Sequence, residues 1–507
     1  MAPAEISRLW RPRWLLLLGL EVLLLAAVVG FFTLRIRYDF SLSGPRPHVF
    51  ILLVDALRAD RLSCYGAGLP TSPTVDRLAA QGTLFEQGTA QAPWTKPSVV
   101  SLFTSLYGSA HRVNRFPPAL EKDGPSRLTG EDVLPDSFTT LAEVLQSHGW
   151  QTLAYSANRW VDPLFGLAQG FDQFVALATS SPPSPAGAKV MVLNLPAEYL
   201  NHEFLKNPAL APDTAWPRFL SRLGFHRRPL FVYLHYMDVH GPYQPPPPFD
   251  TRFDADYARL PAEPLSASDI QAMHYLYQGV DDLRHYRSRY DGQIAYFNAQ
   301  LERLLAELKR RGFLDHALLV FTADHGEALR DHQTFDHGTT LYQEEVRVPL
   351  IFQGEGVMPR RSSEPVRLMD VAPTILAYLG LPIPEDFEGR SLLPLLQGGT
   401  LPPAAAFSEN HIHGRAEIMR RQGNRKVIYQ VADQRIREIY DLALDPGEKS
   451  NRVDREDAQE LAQQARALAA WQAAEQAKFP ESGPLLEKEI DPALKKQLRA
   501  LGYVDHK

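Results

Sequence analysis

The stretch Pro47–Gly66, PHVFILLVDALRADRLSCYG, decides the fold class of this chain. It begins with an almost wholly apolar run, His48–Val54, which is typical of a strand buried on both faces of a parallel sheet. Asp55 follows directly. Open α/β sheets place ligand-binding and catalytic groups at the carboxyl ends of their strands. This stretch therefore predicts a central parallel strand with a functional carboxylate at its end.

Similar apolar runs recur along the chain and alternate with helical patterns. Helices are indicated by apolar residues three and four positions apart, as in the segment 290–312 that ends at Gly312. Further strands are predicted within 151–158, 229–243, 316–327 and 348–354, and another helix within 137–150. Strands that alternate with helices predict an α/β fold built on a doubly wound sheet.

The pattern changes from about Ala404. Residues 416–431 predict a hairpin that turns at Gln422-Gly423-Asn424, and an Ala/Gln-rich helix is expected from about Arg455 to Lys478. We therefore expect a small C-terminal α+β subdomain. The Pro- and Ala-rich segments 176–230 and 244–268 lack clear periodicity and are interpreted as insertions that shape access to a site.

Residues 14–34, WLLLLGLEVLLLAAVVGFFTL, predict a transmembrane helix. The segment has 21 residues with Glu21 as its single ionisable member, and a helix of that length spans roughly 30 Å, the thickness of a hydrocarbon core. Three arginines precede it and two follow it, which favours a cytoplasmic N-terminus. A cleaved signal peptide is the alternative, but the run is long and no small-x-small site follows it. We expect a single-pass protein of the bacterial inner membrane whose body faces the periplasm.

The predicted organisation has five parts: a cytoplasmic N-terminus at 1–13, the anchor at 14–34, a linker at 35–46, a catalytic domain at 47–400, and the C-terminal subdomain and tail at 401–507. The formal net charge of −6 is spread along the chain without a long Lys/Arg run, which argues against a nucleic-acid partner. Cys64 is the single cysteine, so an internal disulfide is excluded.

Polar side chains follow three of the predicted strands and stand in two further motifs. Each has an ordinary alternative, since aspartates form turns and helix caps, and histidines are common in satisfied cores. The candidates are Asp55, Asp238 with His240, Asp324 with His325, His337, and Thr95 with Lys96.

Taken together, these candidates indicate a group-transfer centre. Two carboxylates and one imidazole suit a divalent cation. A cation beside Thr95 would lower the pKa of its hydroxyl and make it a nucleophile. Taken alone, Thr95 is better explained as the cap of the helix whose first turn contains Pro97. The other histidines and Lys96 could neutralise an oxyanion or protonate a leaving oxygen. The set predicts transfer of a phosphoryl or sulfuryl group through a covalent enzyme intermediate.

Motifs across residues 47–504 carry a family resemblance. They include VDALRADRLSCYG, PSVVSLFTSLYG, FTADHGE, DHGTTLYQEEVRVPLIF and EIYDLALDPGEKSN. The chain resembles the sulfatase family of the alkaline phosphatase superfamily. The resemblance implies a central mixed, mostly parallel sheet flanked by helices, with a small C-terminal antiparallel sheet and helix.

The resemblance also assigns roles by position. Asp55, Asp324 and His325 match the family's metal ligands, and Thr95 matches the nucleophile that also touches the metal. In two further motifs, "DVHGPY" and "DHG", the histidines match groups that contact the oxyanion or leaving oxygen; they are His240 and His337. Lys96, for which the family offers no firm role, and Asp238 are taken as substrate-binding candidates.

Departures from the family pattern bear on the chemistry. The formylglycine motif Cys/Ser-x-Pro-x-Arg reads Thr95-Lys96-Pro97-Ser98-Val99 here, and a threonine cannot be oxidised to an aldehyde. Ala56 stands where calcium-binding members have a second Asp, and His325 stands where they often have Asn. Calcium prefers six to eight oxygen donors, so this set favours one manganese or zinc ion. A second metal, held by Asp238, His240 and His337, remains an alternative to direct anion contact.

Three functions are therefore kept open. The set of Asp, Thr, Asp and His resembles superfamily members that transfer phosphoryl groups with a threonine, such as lipoteichoic acid synthases, phosphoethanolamine transferases and nucleotide pyrophosphatases. The first hypothesis is an ester hydrolase or transferase that acts on phosphate esters, of an envelope lipid or glycan, through Thr95. The second is a sulfuric ester hydrolase without formylglycine. The third is an inactive sulfatase-like envelope binding protein.

Overall fold

The computed structural model describes residues 45–117, 132–177, 195–211, 226–266, 280–412 and 416–479, together with a few isolated positions. The chain divides into two compact units, residues 1–46 with 206–229 and residues 47–205 with 230–507. In the first unit, Tyr38–Asp39 pairs antiparallel with His226–Arg227. The sheets, helices and site described below belong to the second unit.

The second unit is built on a nine-stranded sheet. In the order of the sheet the strands run β8-β2-β7-β6-β1-β5-β3-β4, and β9 also pairs with β2. The strands are β1 His48–Val54, β2 Thr83–Thr89, β3 Gln151–Ser156, β4 Gln173–Ala176, β5 Leu230–Tyr236, β6 Ala317–Thr322, β7 Arg347–Gln353, β8 Arg360–Ser362 and β9 Val366–Arg367.

The sheet is mixed and mostly parallel. Strands β6, β1, β5, β3 and β4 form a continuous parallel block, and β2 pairs parallel with β8 and β9. The exception is β7, which runs antiparallel to both β2 and β6. Strand β1 lies inside the parallel block, between β6 and β5, and each of its seven residues is buried, as its apolar run predicts.

Helices cover both faces of this sheet. On one face, Val49, Ile51 and Leu53 share a core with apolar residues from α2, α4 and α9. On the other, Phe297 of α7 packs against Tyr236 and Phe321. The helices are α1 Pro73–Gln81, α2 Thr95–Thr104, α3 Gly108–His111, α4 Leu141–Ser147, α5 Ala197–Leu205, α6 Asp254–Tyr257, α7 Leu283–Arg310, α8 Gln343–Val346, α9 Val371–Tyr378, α10 Leu393–Leu396 and α11 Ala458–Lys478.

A second, four-stranded antiparallel sheet follows near the C-terminus. Its strands are β10 Ala406–Asn410, β11 Glu417–Gln422, β12 Arg425–Gln430 and β13 Arg435–Asp441. The predicted hairpin is confirmed: Gln422 pairs with Arg425, and the connecting Gly423 has φ +59°, a left-handed conformation that favours glycine. Helix α11 covers the sheet by packing Ala465 and Leu468 into its apolar core.

The predicted α/β fold, with its C-terminal antiparallel sheet, is thus confirmed, while some element boundaries differ. Helix α7 begins at Leu283 rather than near Tyr290, because the Asp282 side chain accepts a hydrogen bond from the backbone N–H of Arg284 and caps an earlier turn. Strand β2 was not predicted, since its sequence TLFEQGT mixes polar residues with glycine.

The predicted membrane anchor, residues 14–34, lies outside the described residues apart from Leu18, Glu21, Val22 and Leu24. Among the described residues, none of the helices combines the length and the apolar character needed to cross a bilayer. The two short ladders Ala328–Leu329 with Phe335–Asp336 and Arg127–Leu128 with Lys488–Glu489 complete the described strands.

Candidate active site

The carboxyl ends of four neighbouring parallel strands, β6, β1, β5 and β3, meet at one edge of the sheet. The pairing register of β1 and β6 places two of the candidate residues side by side at this edge. Leu53 pairs with Thr322, so two residues further on Asp55 and Asp324 stand next to each other. Both carboxylates are fully buried. The fold therefore brings together the two aspartates that the strand ends predict.

Thr95 is the first residue of helix α2, and its hydroxyl is not used as a helix cap. Its Oγ1 lies 3.2 Å from His325 Nε2 and 3.4 Å from Asp55 Oδ2. Asn158 Nδ2 donates a hydrogen bond to the same Oγ1 over 3.3 Å. The structure thus joins Thr95 to the two aspartates and His325 in one buried cluster, and the capping alternative is wrong.

Three acceptor atoms face one another in this cluster. Asp55 Oδ1 and Asp324 Oδ2 are both buried without a hydrogen-bond partner among the described residues. Each lies 3.5 Å from His325 Nε2. His325 Nδ1 donates to the carbonyl oxygen of Gly326 over 2.8 Å, so Nε2 carries a lone pair. Buried acceptors left unpaired cost free energy, and a cation placed among these atoms would satisfy all three.

The electrostatics of the cluster follow from its burial. Burial raises the pKa of Asp324 well above its ordinary value, and the neighbouring Asp55 carboxylate adds to the effect. Burial alone would also raise the pKa of Asp55, but the hydrogen bond from His235 and the nearby His240 and His325 hold it well below the ordinary value. Burial and His337 lower the pKa of His325 to about 3, which keeps its imidazole neutral and able to bind a metal.

Two residues of the cluster were not predicted from the sequence. His235, inside β5, places Nε2 2.9 Å from Asp55 Oδ2, and its ring is fully buried. Asn158, just beyond β3, donates from Nδ2 to the same Asp55 Oδ2. The strand-end criterion that selects Asp55 would also have selected Asn158. The sequence indicates a role for His235 less clearly, because the evidence there is one histidine within an otherwise apolar strand.

His240 and His337 lie beside the cluster. The His337 ring stacks on His325 with centroids 4.4 Å apart and meets the ring of His240 at 4.9 Å. His240 Nδ1 donates to the carbonyl oxygen of Gly241 over 2.7 Å. The Nδ1 atom of His337 lies 3.2 Å from Glu327 Oε1 and 2.9 Å from Asp336 Oδ1. These two histidines are therefore oriented by their Nδ1 contacts.

Lys96 and Asp238 make different contacts. The Lys96 ammonium lies 5.6, 5.8 and 5.6 Å from the ring centroids of Trp94, Trp160 and Phe165, and burial lowers its pKa to about 8. Asp238 Oδ1 accepts a hydrogen bond from the backbone N–H of Ala197 at the start of α5, and burial raises its pKa to about 7. Lys96 is therefore surrounded by aromatic rings, and Asp238 forms a hydrogen bond with the first residue of α5.

Carboxylates and imidazoles come close enough to share an ion in two places within the described residues. One group is Asp55, His235 and Asp324, and the other is Glu327, Asp336 and His337. Asp238 and His240 belong to neither group, so the second metal site expected from Asp238, His240 and His337 does not form as a donor set. The first group, with its unpaired carboxylate oxygens, fits a divalent cation.

The fold and this site define a class of α/β ester hydrolases with a metal centre at the carboxyl edge of the sheet. A family model described as Sulfatase matches residues 47–381, and one described as N-sulphoglucosamine sulphohydrolase, C-terminal, matches residues 330–473. The chain belongs to the sulfatase family, whose enzymes bind a metal ion. The prediction of an ester hydrolase is confirmed.

Curated relatives include a multifunctional protein of the alkaline phosphatase superfamily and several sulfatases. The multifunctional alkaline phosphatase superfamily protein PehA of Trinickia caryophylli is 28% identical over 70% of this chain and 78% of its own. Arylsulfatase K of Bos taurus is 23% identical over 80% and 78%. Similarity at this level supports the family but leaves the ester undecided.

Solved structures show the same fold. The phosphonate monoester hydrolase of Agrobacterium radiobacter superposes with a TM-score of 0.63 at 21% identity, covering 87% of this chain and 100% of the other. The structure of BT4656 in complex with D-glucosamine-2-N,6-O-disulfate gives a TM-score of 0.66 at 19% identity, with the same coverage.

The unpaired oxygens lead to a prediction about metal binding. Asp55→Asn and Asp324→Asn should each lower the affinity for zinc by more than the roughly 10–100-fold typical of losing an outer-shell partner, because each removes a negative charge from the donor set. Isothermal titration calorimetry on the metal-stripped protein measures the change.

Asp238→Asn is the matched control for these variants. Its amide oxygen can still accept from Ala197, so zinc affinity should stay at the wild-type value. Equal losses in all three variants would contradict the assignment of the site.

Proposed function

We propose that this chain cleaves phosphate esters by transferring the phosphoryl group to Thr95, with water or an envelope component as the final acceptor. The observation that carries the proposal is the position of the Thr95 hydroxyl, within 3.5 Å of His325 and Asp55. The same buried cluster holds the unpaired oxygens Asp55 Oδ1 and Asp324 Oδ2, each 3.5 Å from His325 Nε2. A divalent cation bound there would supply positive charge that stabilises the threonine oxyanion and the phosphate oxygens.

Several side chains prepare Thr95 as a nucleophile. Asn158 Nδ2 donates to Oγ1, and this hydrogen bond grows stronger as negative charge develops on the oxygen. Asp55 Oδ2, at 3.4 Å, is an acceptor for the hydroxyl proton. The location of Thr95 at the first position of α2 also exposes Oγ1 to the positive end of the helix dipole. Attack by Oγ1 on phosphorus would form a phosphothreonine and break the bond to the leaving oxygen.

The two histidines beside the cluster, His240 and His337, are proposed to contact the substrate and its leaving oxygen. His337 contacts two carboxylates through Nδ1, and these contacts orient its ring. A protonated imidazole at this position would donate its proton to the departing oxygen. His240 donates from Nδ1 to a backbone carbonyl, which orients its ring. The family resemblance implies that this histidine contacts the oxyanion of the substrate. These roles agree with those implied by the family resemblance.

Phosphate is favoured over sulfate by the residues at the formylglycine motif. Threonine at position 95 cannot supply the aldehyde hydrate on which sulfatases with formylglycine depend, and the motif arginine is Val99. The donor set contains a histidine nitrogen and lacks the second aspartate, which favours zinc or manganese over calcium. Zinc and manganese are common in enzymes that use one or two metal ions to cleave phosphate esters.

The role of Thr95 leads to a mutational prediction. Thr95→Ala should reduce turnover of an aryl phosphate by on the order of 10³-fold or more, because the nucleophile is lost. A short pre-incubation of wild-type protein with substrate should add one phosphoryl group to Thr95, seen by mass spectrometry. Steady-state assays of both proteins at equal metal loading measure the effect.

Thr104→Ala is the control, since Thr104 is also buried in α2 but its hydroxyl donates to the carbonyl oxygen of Val100 within the same helix. It should keep turnover within a few-fold of wild type. Comparable turnover by Thr95→Ala and wild type would overturn the proposed function.

Sulfate-ester hydrolysis is the second candidate, and the sulfatase relatives favour it. The proposal predicts that kcat/KM for an aryl phosphate exceeds that for the matching aryl sulfate by at least about tenfold, or about 1.4 kcal/mol of transition-state stabilisation. Assays with 4-nitrophenyl phosphate and 4-nitrophenyl sulfate under identical conditions decide between them. A preference for the sulfate would favour the second candidate.

We also infer that residues 14–34 anchor the enzyme in the inner membrane, with the active site in the periplasm. The full chain should sediment with membranes after a carbonate wash, because roughly 20 apolar residues insert stably. A variant that lacks residues 1–34 should be recovered in the soluble fraction. Full-length protein in the soluble fraction would contradict the anchor.

A further inference from the structure

We propose that His235 and Tyr233 form a positioning pair that fixes Asp55 as a one-oxygen metal ligand, and that His235 itself does not bind the metal. The inference rests on the proposed function, since it concerns the same centre. It assigns a role to a buried histidine that lies close enough to Asp55 and Asp324 to be taken for a ligand.

Three donors converge on a single oxygen of Asp55. His235 Nε2 lies 2.9 Å from Oδ2, Asn158 Nδ2 donates to it, and the Thr95 hydroxyl is 3.4 Å away. The other oxygen, Oδ1, has no partner among the described residues and lies 3.5 Å from His325 Nε2. The two oxygens of the Asp55 carboxylate therefore have different roles. Oδ2 accepts hydrogen bonds from protein donors, and Oδ1 is the oxygen that would bind the ion.

The hydroxyl of Tyr233 determines which nitrogen of His235 carries the proton. Tyr233 OH lies 2.8 Å from His235 Nδ1, and both side chains are fully buried on the same face of β5. If Nδ1 carried the proton, the tyrosine hydroxyl hydrogen would have no acceptor within the part of the chain that the structure describes. An unpaired buried donor costs roughly 1–3 kcal/mol. When the tyrosine donates instead, Nδ1 accepts and Nε2 carries the proton.

A protonated Nε2 cannot be a metal ligand, since its lone pair is used. It can donate to Asp55 Oδ2, and the observed 2.9 Å is a normal hydrogen-bond distance. His325 shows the opposite arrangement. Its Nδ1 faces the carbonyl of Gly326, an acceptor, so its Nε2 keeps the lone pair that a metal needs. Two buried histidines in one cluster thus have opposite tautomers because one faces a donor and the other an acceptor.

These hydrogen bonds to Asp55 bear on the number of metal ligands, because the centre has one carboxylate fewer than calcium-binding members of the family. Ala56 takes the place of a second aspartate, and the hydrogen bonds from His235 and Asn158 prevent Asp55 from turning to bind through both oxygens. A low coordination number with one nitrogen donor follows, which suits zinc or manganese.

The test uses zinc and the full-length protein. Tyr233→Phe should raise the zinc dissociation constant about 10–100-fold, the usual effect of losing an outer-shell partner. Tyr236→Phe is the matched control, because Tyr236 is buried in the same strand and also donates a 2.8 Å hydrogen bond, to Asn201 on the opposite face. Its zinc affinity should equal that of wild type. Calorimetry measures both.

X-ray absorption spectroscopy at the zinc edge separates positioning from ligation. Wild type and His235→Gln should show the same single imidazole, that of His325, since the glutamine amide can replace the Nε2–H donor. His235→Gln should also bind zinc more tightly than His235→Ala. Two imidazoles in wild type and one in His235→Gln would overturn the inference, as would wild-type zinc affinity in Tyr233→Phe.

The outcomes distinguish this inference from the proposed function. Zinc affinity and ligand number are measured without substrate, so they can fail while Thr95 remains essential for turnover. Conversely, an active Thr95→Ala variant would overturn the proposed function while leaving the positioning pair intact. Wild-type protein that binds no zinc would overturn the pair together with the metal centre.

Discussion

The site depends on one constraint, the crowding of unpaired acceptors at the end of the central strand. Asp55 Oδ1, Asp324 Oδ2 and His325 Nε2 lie within reach of one another, and burial separates them from water. Like-charged oxygens in a low-dielectric setting repel strongly. A bound cation would offset this repulsion. Thr95 lies beside the same atoms because it is the first residue of α2.

Sheet topology creates this crowding. Because β6, β1, β5 and β3 are adjacent and parallel, their carboxyl ends deliver residues from four distant parts of the chain to one edge. The antiparallel β7 then lets β2 end at that edge too, only six residues before Thr95. Helices on both faces exclude water from the strands.

Around the acceptors, a layer of hydrogen bonds selects which atoms remain free. The phenol of Tyr233 and the carbonyl of Gly326 present opposite partners to two histidines, and these partners set opposite tautomers. The carbonyl of Gly241 does the same for His240. Backbone and side-chain groups outside the centre therefore decide its chemistry as much as the residues that face the ion do.

Local patterns alone determined the α/β class, the bounds of β1, the hairpin at Gly423 and the strand-end candidates Asp55 and Asp324, because periodicity and turn chemistry are properties of neighbouring residues. Thr95 and the histidines acquired roles from family resemblance. Tertiary structure alone decided that His235 and Asn158 reach Asp55, and that Asp238 instead meets the start of α5. Those contacts depend on register between strands far apart in the chain, which no local pattern encodes.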